Sequence, residues 1–480
     1  MYDDRNLTLL TDFYELTMGN GYLVNGMADT VCCFDLYFRK IPDEGGFAVM
    51  CGLEQAISYI KNLHFSDEDI SYLRGKNIFS EDFLTYLSSF RFCCDVWAIP
   101  EGTPVFPNEP LVIVKGPAVQ AQFLETMLLL CIDHQCLIAT KSARIVKAAD
   151  GRPVMEFGSR RAQGSDGAIY GARAAYIGGC CGTACTIADS MMGVPALGTM
   201  AHSWIQMFDS ELEAFRAYAK CYPNNAVLLV DTYNVLKSGI PNAIKVFEEL
   251  KAQGYKAGGI RIDSGDITYL SKKARKMLDD AGFPEAKIVA SNSLDEYIIQ
   301  DIIRQGVKID SFGVGERLIT SRSEPVFGGV YKLTAVEKDG KLIPKIKLSE
   351  NVTRITTPGF KELWRFYDNQ SGKAIADLIT CHGEIVDDSK PYVIFDPEHP
   401  YKKKRITDFT AKKLLVRIFD KGECVYNSPN TSEIKEYCSE QINTLWDKVR
   451  RFENPHAYYV DLSERLWNEK QQLLNDMSIQ

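Results

Sequence analysis

The feature that most constrains this chain is a rhythm in its middle third. Short apolar runs fall near residues 154–157, 194–198, 227–230, 258–262, 288–290 and 309–312, with helix-like runs at 168–178, 211–220, 242–251, 269–281 and 295–305 between them. Three of the last four apolar runs, at 227, 258 and 288, start about thirty residues apart, the length of one strand–helix unit. Such alternation predicts parallel strands joined by crossover helices, in either a closed barrel or an open doubly wound sheet. No Gly-x-Gly-x-x-Gly and no Walker sequence accompanies it, which weakens the dinucleotide and P-loop readings.

The rhythm does not extend over the whole chain. At 480 residues the chain is too long for one hydrophobic core. Three parts are predicted: an N-terminal α+β domain over 1–116, an α/β barrel region over 117–335, and an appended C-terminal α+β region over 336–480. The first should hold helices at 7–22, 53–63 and 81–90, a strand at 30–39, and short strands in the proline-rich stretch 95–116. A long helix over 120–149 then leads into the middle. The last part should contain a strand at 341–347 and helices at 433–452 and 462–474, with the basic run Lys402–Arg405 as a solvated face.

Composition narrows the function. A net charge of −8 argues against nucleic acid or an anionic membrane as the main partner. The N-terminus has no charged and apolar leader, and no run is read as spanning a bilayer, so a soluble, cytoplasmic protein is expected. The fourteen cysteines include no Cys-x-x-Cys, so reduced and mostly buried thiols are expected rather than zinc ligands.

In a parallel sheet, function collects at the carboxyl ends of the strands. The residues there are Gly158-Ser159-Arg160-Arg161, Gly198-Thr199-Met200-Ala201-His202-Ser203, Asp231-Thr232-Tyr233, Arg261-Ile262-Asp263-Ser264-Gly265-Asp266, Ser291-Asn292-Ser293, and Gly313-Val314-Gly315-Glu316-Arg317. Each end is polar or glycine-rich. Ser291-Asn292 and Gly313-Val314-Gly315 suit a phosphate cradle, because small residues let backbone N–H groups approach an anion. Arg261 and Asp263 share one side of a strand, and with Asp266 they suit a sugar phosphate with Mg²⁺. His202 stands alone among six histidines in having such neighbours.

These strings, with Thr11-Asp12-Phe13-Tyr14-Glu15-Leu16-Thr17-Met18 and Glu156-Phe157-Gly158, resemble the nicotinate phosphoribosyltransferase family over about the first 335 residues. The resemblance implies ATP-coupled joining of nicotinate to 5-phosphoribosyl 1-diphosphate, giving nicotinate mononucleotide and diphosphate, the first step of NAD salvage. It implies a phosphohistidine at His202, and Asp231 becomes the candidate for orienting that ring. Tyr14, from the neighbouring subunit of a homodimer with shared active sites, would stack on the pyridine ring opposite Phe157. Thr199 and Arg261 would hold nicotinate. Arg160, Asp263, Asp266, Ser291, Asn292, Gly313, Gly315 and Glu316 would serve the phosphoribosyl diphosphate, with Mg²⁺ as cofactor and ATP as co-substrate.

The chain departs from the family pattern in two places. Gly182-Thr183-Ala184-Cys185 stands where much of the family has Gly-Thr-Ser-Asn, and Glu316 stands where many members have threonine. Nicotinamide-using relatives carry an aspartate at about the position of Ala184. Its absence, with Arg261 facing a carboxylate, favours the acid over the amide. Nicotinamide or quinolinate phosphoribosyltransferase, or a catalytically silent sugar-phosphate-binding homologue, are the alternatives.

Overall fold

A computed structural model of the protein describes residues 5–350 and 354–478. The chain forms a mixed α/β fold in two compact units. One is contiguous, from Ile138 to Pro325. The other is assembled from both ends of the chain, up to Leu137 and from Val326 onward. Residues 1–116 and 336–480 therefore share one unit, and it also takes in 117–137 and 326–335.

The contiguous unit is built on a six-stranded sheet. Its order is Gly182–Thr183, Val154–Glu156, Ser311–Val314, Lys287–Ser291, Gly259–Ile262, Val227–Leu229, and every pairing is parallel. Parallel strands are covered on both faces, so they must be apolar on both. Leu228, Ile260, Ile262, Ile288, Ala290, Phe312 and Val314 are accordingly inaccessible to solvent. The crossover helices present one apolar stripe each: Ile267–Asp280 buries Ala274 and Leu278, and Glu296–Arg304 buries Ile299. Asp266 and Asp295 cap these two helices, accepting from the N–H groups of Tyr269 and Ile298 at 2.9 Å.

The expected strand at 194–198 does not form. Gly193 turns the chain in the left-handed region with φ 67°, and Pro195 has no N–H to give to a ladder. What remains is one parallel bridge between Ala196 and Thr183. The ladder runs over six strands plus this bridge, and among the described residues it does not close back onto Val227–Leu229.

The other unit is mainly antiparallel. Its larger sheet has seven strands in the order Lys341–Pro344, Val330–Lys338, Val31–Tyr37, Val112–Pro117, Asp95–Ala98, Val416–Asp420, Glu423–Cys424. A second sheet of four strands follows the order Phe409–Lys413, Lys361–Asp368, Ala374–Cys381, Val460–Leu462. Neither C-terminal partner strand of the larger sheet, nor most of the second sheet, is visible in the periodicity of the sequence. The basic run lies in the exposed strand Lys403–Ile406, paired with Tyr392–Phe395.

The predicted helix over 120–149 breaks at Leu124 into Ala118–Phe123 and Glu125–Ala148. Taken together, residues Ala118–Ala148 are long and apolar enough to cross a membrane, contrary to the sequence reading. In the fold, 61% of the most apolar window is buried in protein. The helix expected over 7–22 begins later, as Phe13–Val24.

Candidate active site

The carboxyl ends of the central strands bring most of the sequence-selected residues together. Arg261, from within the strand Gly259–Ile262, is the hub. Its Nε donates to Ser291 Oγ at 2.9 Å, Nη1 to Thr199 Oγ1 at 3.0 Å, and Nη2 to Asp263 Oδ1 at 2.9 Å. Ser291 Oγ also donates to Asp263 Oδ1. A guanidinium has five N–H groups, so among the described residues one on each terminal nitrogen has no partner and can meet a carboxylate.

Phe157 covers this guanidinium, with Cζ 5.4 Å from the ring centroid. The ring can lie there because residue 313 is glycine: a Cβ at Gly313 would come within 2.5 Å of Phe157 Cδ2. Gly313 thus seats an aromatic ring, a role distinct from the phosphate cradle assigned to it from sequence. Gly315 leads into the short helix Glu316–Ile319. Glu316 is exposed there, with its carboxylate 3.8 Å from Arg322 Nη1.

His202 opens the five-residue helix His202–Gln206, just after the loop carrying Thr199. Its Nδ1 is hydrogen-bonded to Thr232 Oγ1 at 3.0 Å, and its Nε2 lies 3.8 Å from Asp263 Oδ2. Asp231, expected to orient the ring, is engaged elsewhere. Its Oδ2 accepts from the Asp263 N–H at 3.1 Å and from Ser264 Oγ at 2.6 Å. The hydroxyl next to it in sequence, Thr232, holds the histidine. Asp231 Oδ1 is buried and has no hydrogen-bond partner.

The residues expected from sequence to serve phosphates include the Ser291-Asn292 turn, Arg160 and Asp266. Asn292 and Ser293 both take positive φ, 85° and 50°, and turn the chain sharply after Ser291. Arg160 stands exposed in the turn Ser159–Arg161 and makes no ion pair among the described residues. Asp266 spends its carboxylate on the helix cap already described.

Glu156 carries no role in the sequence reading, although it stands in one of the quoted strings. It is fully buried; one oxygen accepts from the Gly158 N–H and the other from Thr183 Oγ1 at 2.6 Å. Burial pushes its carboxyl above the usual range, while the two hydrogen bonds oppose the shift. Glu156 thereby ties the Phe157-Gly158 turn to the loop holding Ala184. A buried carboxylate in a strand that otherwise reads as apolar is the signal that could have revealed it.

Tyr14 belongs to the other unit. It is the second residue of Phe13–Val24 and is 43% exposed. Burial of its hydroxyl end and the nearby Glu125 carboxylate push the phenol above its usual range.

A parallel α/β unit with its polar groups gathered at one end of the strands has the build of an enzyme acting on small molecules. Three family models cover most of the chain: the nicotinate phosphoribosyltransferase N-terminal domain over 9–133, the nicotinate phosphoribosyltransferase family over 153–358, and its C-terminal domain over 360–470. A nicotinate phosphoribosyltransferase of Bacillus subtilis is 43% identical over 476 residues, covering 99% of this chain and 97% of its own. The human protein of the same name is 30% identical over 516 residues, covering 95% of each chain. The crystal structure of human nicotinic acid phosphoribosyltransferase superposes with a TM-score of 0.85 at 28% identity, over 97% of this chain and 99% of that one. The chain belongs to the nicotinate phosphoribosyltransferase family, a family of enzymes.

Proposed function

We propose that the protein joins nicotinate to 5-phosphoribosyl 1-diphosphate, releasing diphosphate and forming nicotinate mononucleotide, and that ATP cleavage drives the reaction through a phosphohistidine at His202. One observation carries the reading: the forked pair of free N–H groups on Arg261, beneath the Phe157 ring and beside His202. The fork takes the nicotinate carboxylate, and the ring stacks on the pyridine. The pyridine nitrogen then attacks the anomeric carbon as the bond to diphosphate breaks. That transition state carries positive charge on the sugar, which the Asp263 carboxylate would stabilise.

His202 is set up to accept a phosphoryl group. With Nδ1–H donated to Thr232, the Nε2 lone pair is free to attack the γ-phosphorus of ATP, expelling ADP. Asp263, 3.8 Å away, favours the charged imidazole that results. Water hydrolyses the phosphoimidazole later in the cycle. Arg160, the Ser291-Asn292-Ser293 turn and the backbone at Gly313–Glu316 serve the phosphates. Mg²⁺ suits the donor set, since the orphaned Asp231 Oδ1 and the Asp263 carboxylate are hard oxygen donors of the kind it uses beside substrate phosphates. Those two residues would hold it, and its charge would neutralise the diphosphate.

A homodimer is part of the proposal. Phe13, Tyr14 and Met18 are exposed apolar or aromatic residues on one helix, and a second copy of the chain would cover them while lending Tyr14 to the neighbouring site. The test is incubation with γ-labelled ATP. An acid-labile, alkali-stable label lost in His202→Ala supports the reading, and a wild-type protein without it would sink the coupling. Competition between nicotinate and nicotinamide checks the role of Arg261.

A further inference from the structure

A second candidate site lies in the unit assembled from both chain ends. It forms where the chain leaves the four-stranded sheet at Phe409–Lys413 and enters the seven-stranded sheet at Val416–Asp420. A cavity of about 120 Å³ opens there, lined by the rings of Trp97, Phe360 and His382 and by the charged side chains of Lys361, Glu362, Lys413 and Arg417, the last 5.5 Å from the Trp97 ring centroid. Phe360 and His382 are stacked, with ring centroids 4.0 Å apart at 22°, and the Trp97 ring stands 5.1 Å from Phe360 at 54°. The volume suits one aromatic ring, since an apolar cavity of roughly 150 Å³ accepts benzene.

The polar groups around it are arranged asymmetrically. Lys115 Nζ sits 5.4 Å from the Phe360 centroid and makes no ion pair among the described residues. Its charge is therefore available to an incoming anion. Glu362, within the lining, has one oxygen engaged by Lys413 at 2.8 Å and by His382 Nδ1 at 3.3 Å. Its other oxygen is buried with no hydrogen-bond partner. Burial lowers the His382 imidazole below its usual range, against the opposing Glu362 carboxylate, and so favours the uncharged ring in the stack.

We infer that this cavity is a second ligand site, which takes a single six-membered aromatic ring bearing an anionic group. The ring slots against Trp97 and the Phe360–His382 stack, and the anion pairs with Lys115. A free aromatic carboxylate and a pyridine mononucleotide share this chemistry, and the inference does not depend on the reaction assigned to the other unit.

The experiment is calorimetric titration of the full chain carrying Arg261→Ala, which removes the carboxylate fork of the candidate active site. Benzoate, nicotinate, nicotinate mononucleotide and ADP are the probes. One-to-one binding of benzoate or nicotinate is expected to persist in that background. Trp97→Ala should weaken it about ten-fold or more, Lys115→Ala several-fold, and Trp97→Phe little. Mononucleotide binding tighter than nicotinate identifies a nucleotide as the source; the reverse identifies the free acid. Loss of all binding with Arg261→Ala alone overturns the inference, as does binding indifferent to both Trp97→Ala and Lys115→Ala. ADP binding in place of the single-ring probes overturns the ligand class. If Trp97→Ala does not fold, Lys115→Ala at the rim still decides. Absence of a histidine label would not touch this result, so the two readings fail separately.

Discussion

Two arginine–aspartate pairs, one in each unit, do opposite things. Arg261 and Asp263 sit at a strand end with side chains 17% and 30% exposed, and their partners are Ser291 and Thr199. Arg365 and Asp377 sit mid-strand with no exposure at all. They are joined by two hydrogen bonds of 2.8 and 2.6 Å, with Tyr458 donating to Asp377 at 3.0 Å. Phe106 and Tyr458, themselves stacked at 3.9 Å, place their rings near the Arg365 guanidinium. Burial and the adjacent Asp377 hold the neighbouring Glu109 carboxyl well above its usual range. The same two residue types make a candidate ligand site when half-open and a scaffold when sealed. Exposure, not identity, separates them.

Breaking the sealed pair should cost most. Asp377→Ala leaves Arg365 buried and uncompensated, and denaturant unfolding should show a loss of about 3–5 kcal/mol. A loss under 1 kcal/mol would mean that the pair contributes no more than a surface one. Arg261→Ala should instead leave the unfolding midpoint nearly unchanged and lower kcat/KM for nicotinate by about 100-fold, near 3 kcal/mol. If stability fell and kcat/KM held, the open pair would be scaffold too.

A third test concerns pH. Burial pushes the Asp133 carboxyl up to about 7, against the opposing hydrogen bond from the Gly329 N–H at 3.0 Å. A carboxyl whose folded pKa is raised binds its proton more tightly in the folded state. Its contribution is therefore present below the unfolded value near 4 and is lost as pH rises to about 7. Stability should decline by on the order of 2 kcal/mol across that window, and Asp133→Asn should flatten the decline. A wild-type profile with no slope there would refute the shift. The smallest effect belongs to Thr232→Val, which removes the hydroxyl on His202 Nδ1. Histidine labelling by ATP should slow about ten-fold, near 1.4 kcal/mol, with nicotinate KM unchanged. Asp231→Asn should perturb the Asp263 loop rather than the histidine, and equal slowing by both variants would blur that assignment.

Much of the central unit was legible because parallel strands must be apolar throughout and their ends polar. That contrast located five of the six strands and gathered Arg261, Asp263, Ser291, Thr199 and His202 before any coordinates. Failures have local causes. At 194–198 the apolar run was real, but Pro195 and Gly193 forbid a ladder. Gly182–Thr183, which takes the edge position, is two residues long and has no period to detect. Thr232 was overlooked because carboxylates draw attention as histidine partners, and only geometry separates Asp231 from the hydroxyl beside it. In the other unit, nothing in the sequence marks Arg365 and Asp377 as partners, since charges in antiparallel strands usually face outward. Their pairing across twelve residues of sequence is a tertiary fact.

The way the chain is divided also orders events in time. Residues 138–325 contain everything their sheet requires, so that unit can fold as soon as it has emerged from the ribosome. The seven-stranded sheet cannot. Val31–Tyr37 must wait for its neighbour Val330–Lys338, and Asp95–Ala98 for Val416–Asp420, which are made near the end of synthesis. For most of translation Val31–Tyr37, Val112–Pro117 and Asp95–Ala98 can pair only with one another, leaving the two outer edges of that three-stranded piece open to other chains. Nascent chains stalled after the central unit should resist protease there and be cut readily in the first hundred or so residues. The residues gathered around Arg261 are thus made early, and the last strands synthesised complete the sheet that the first began.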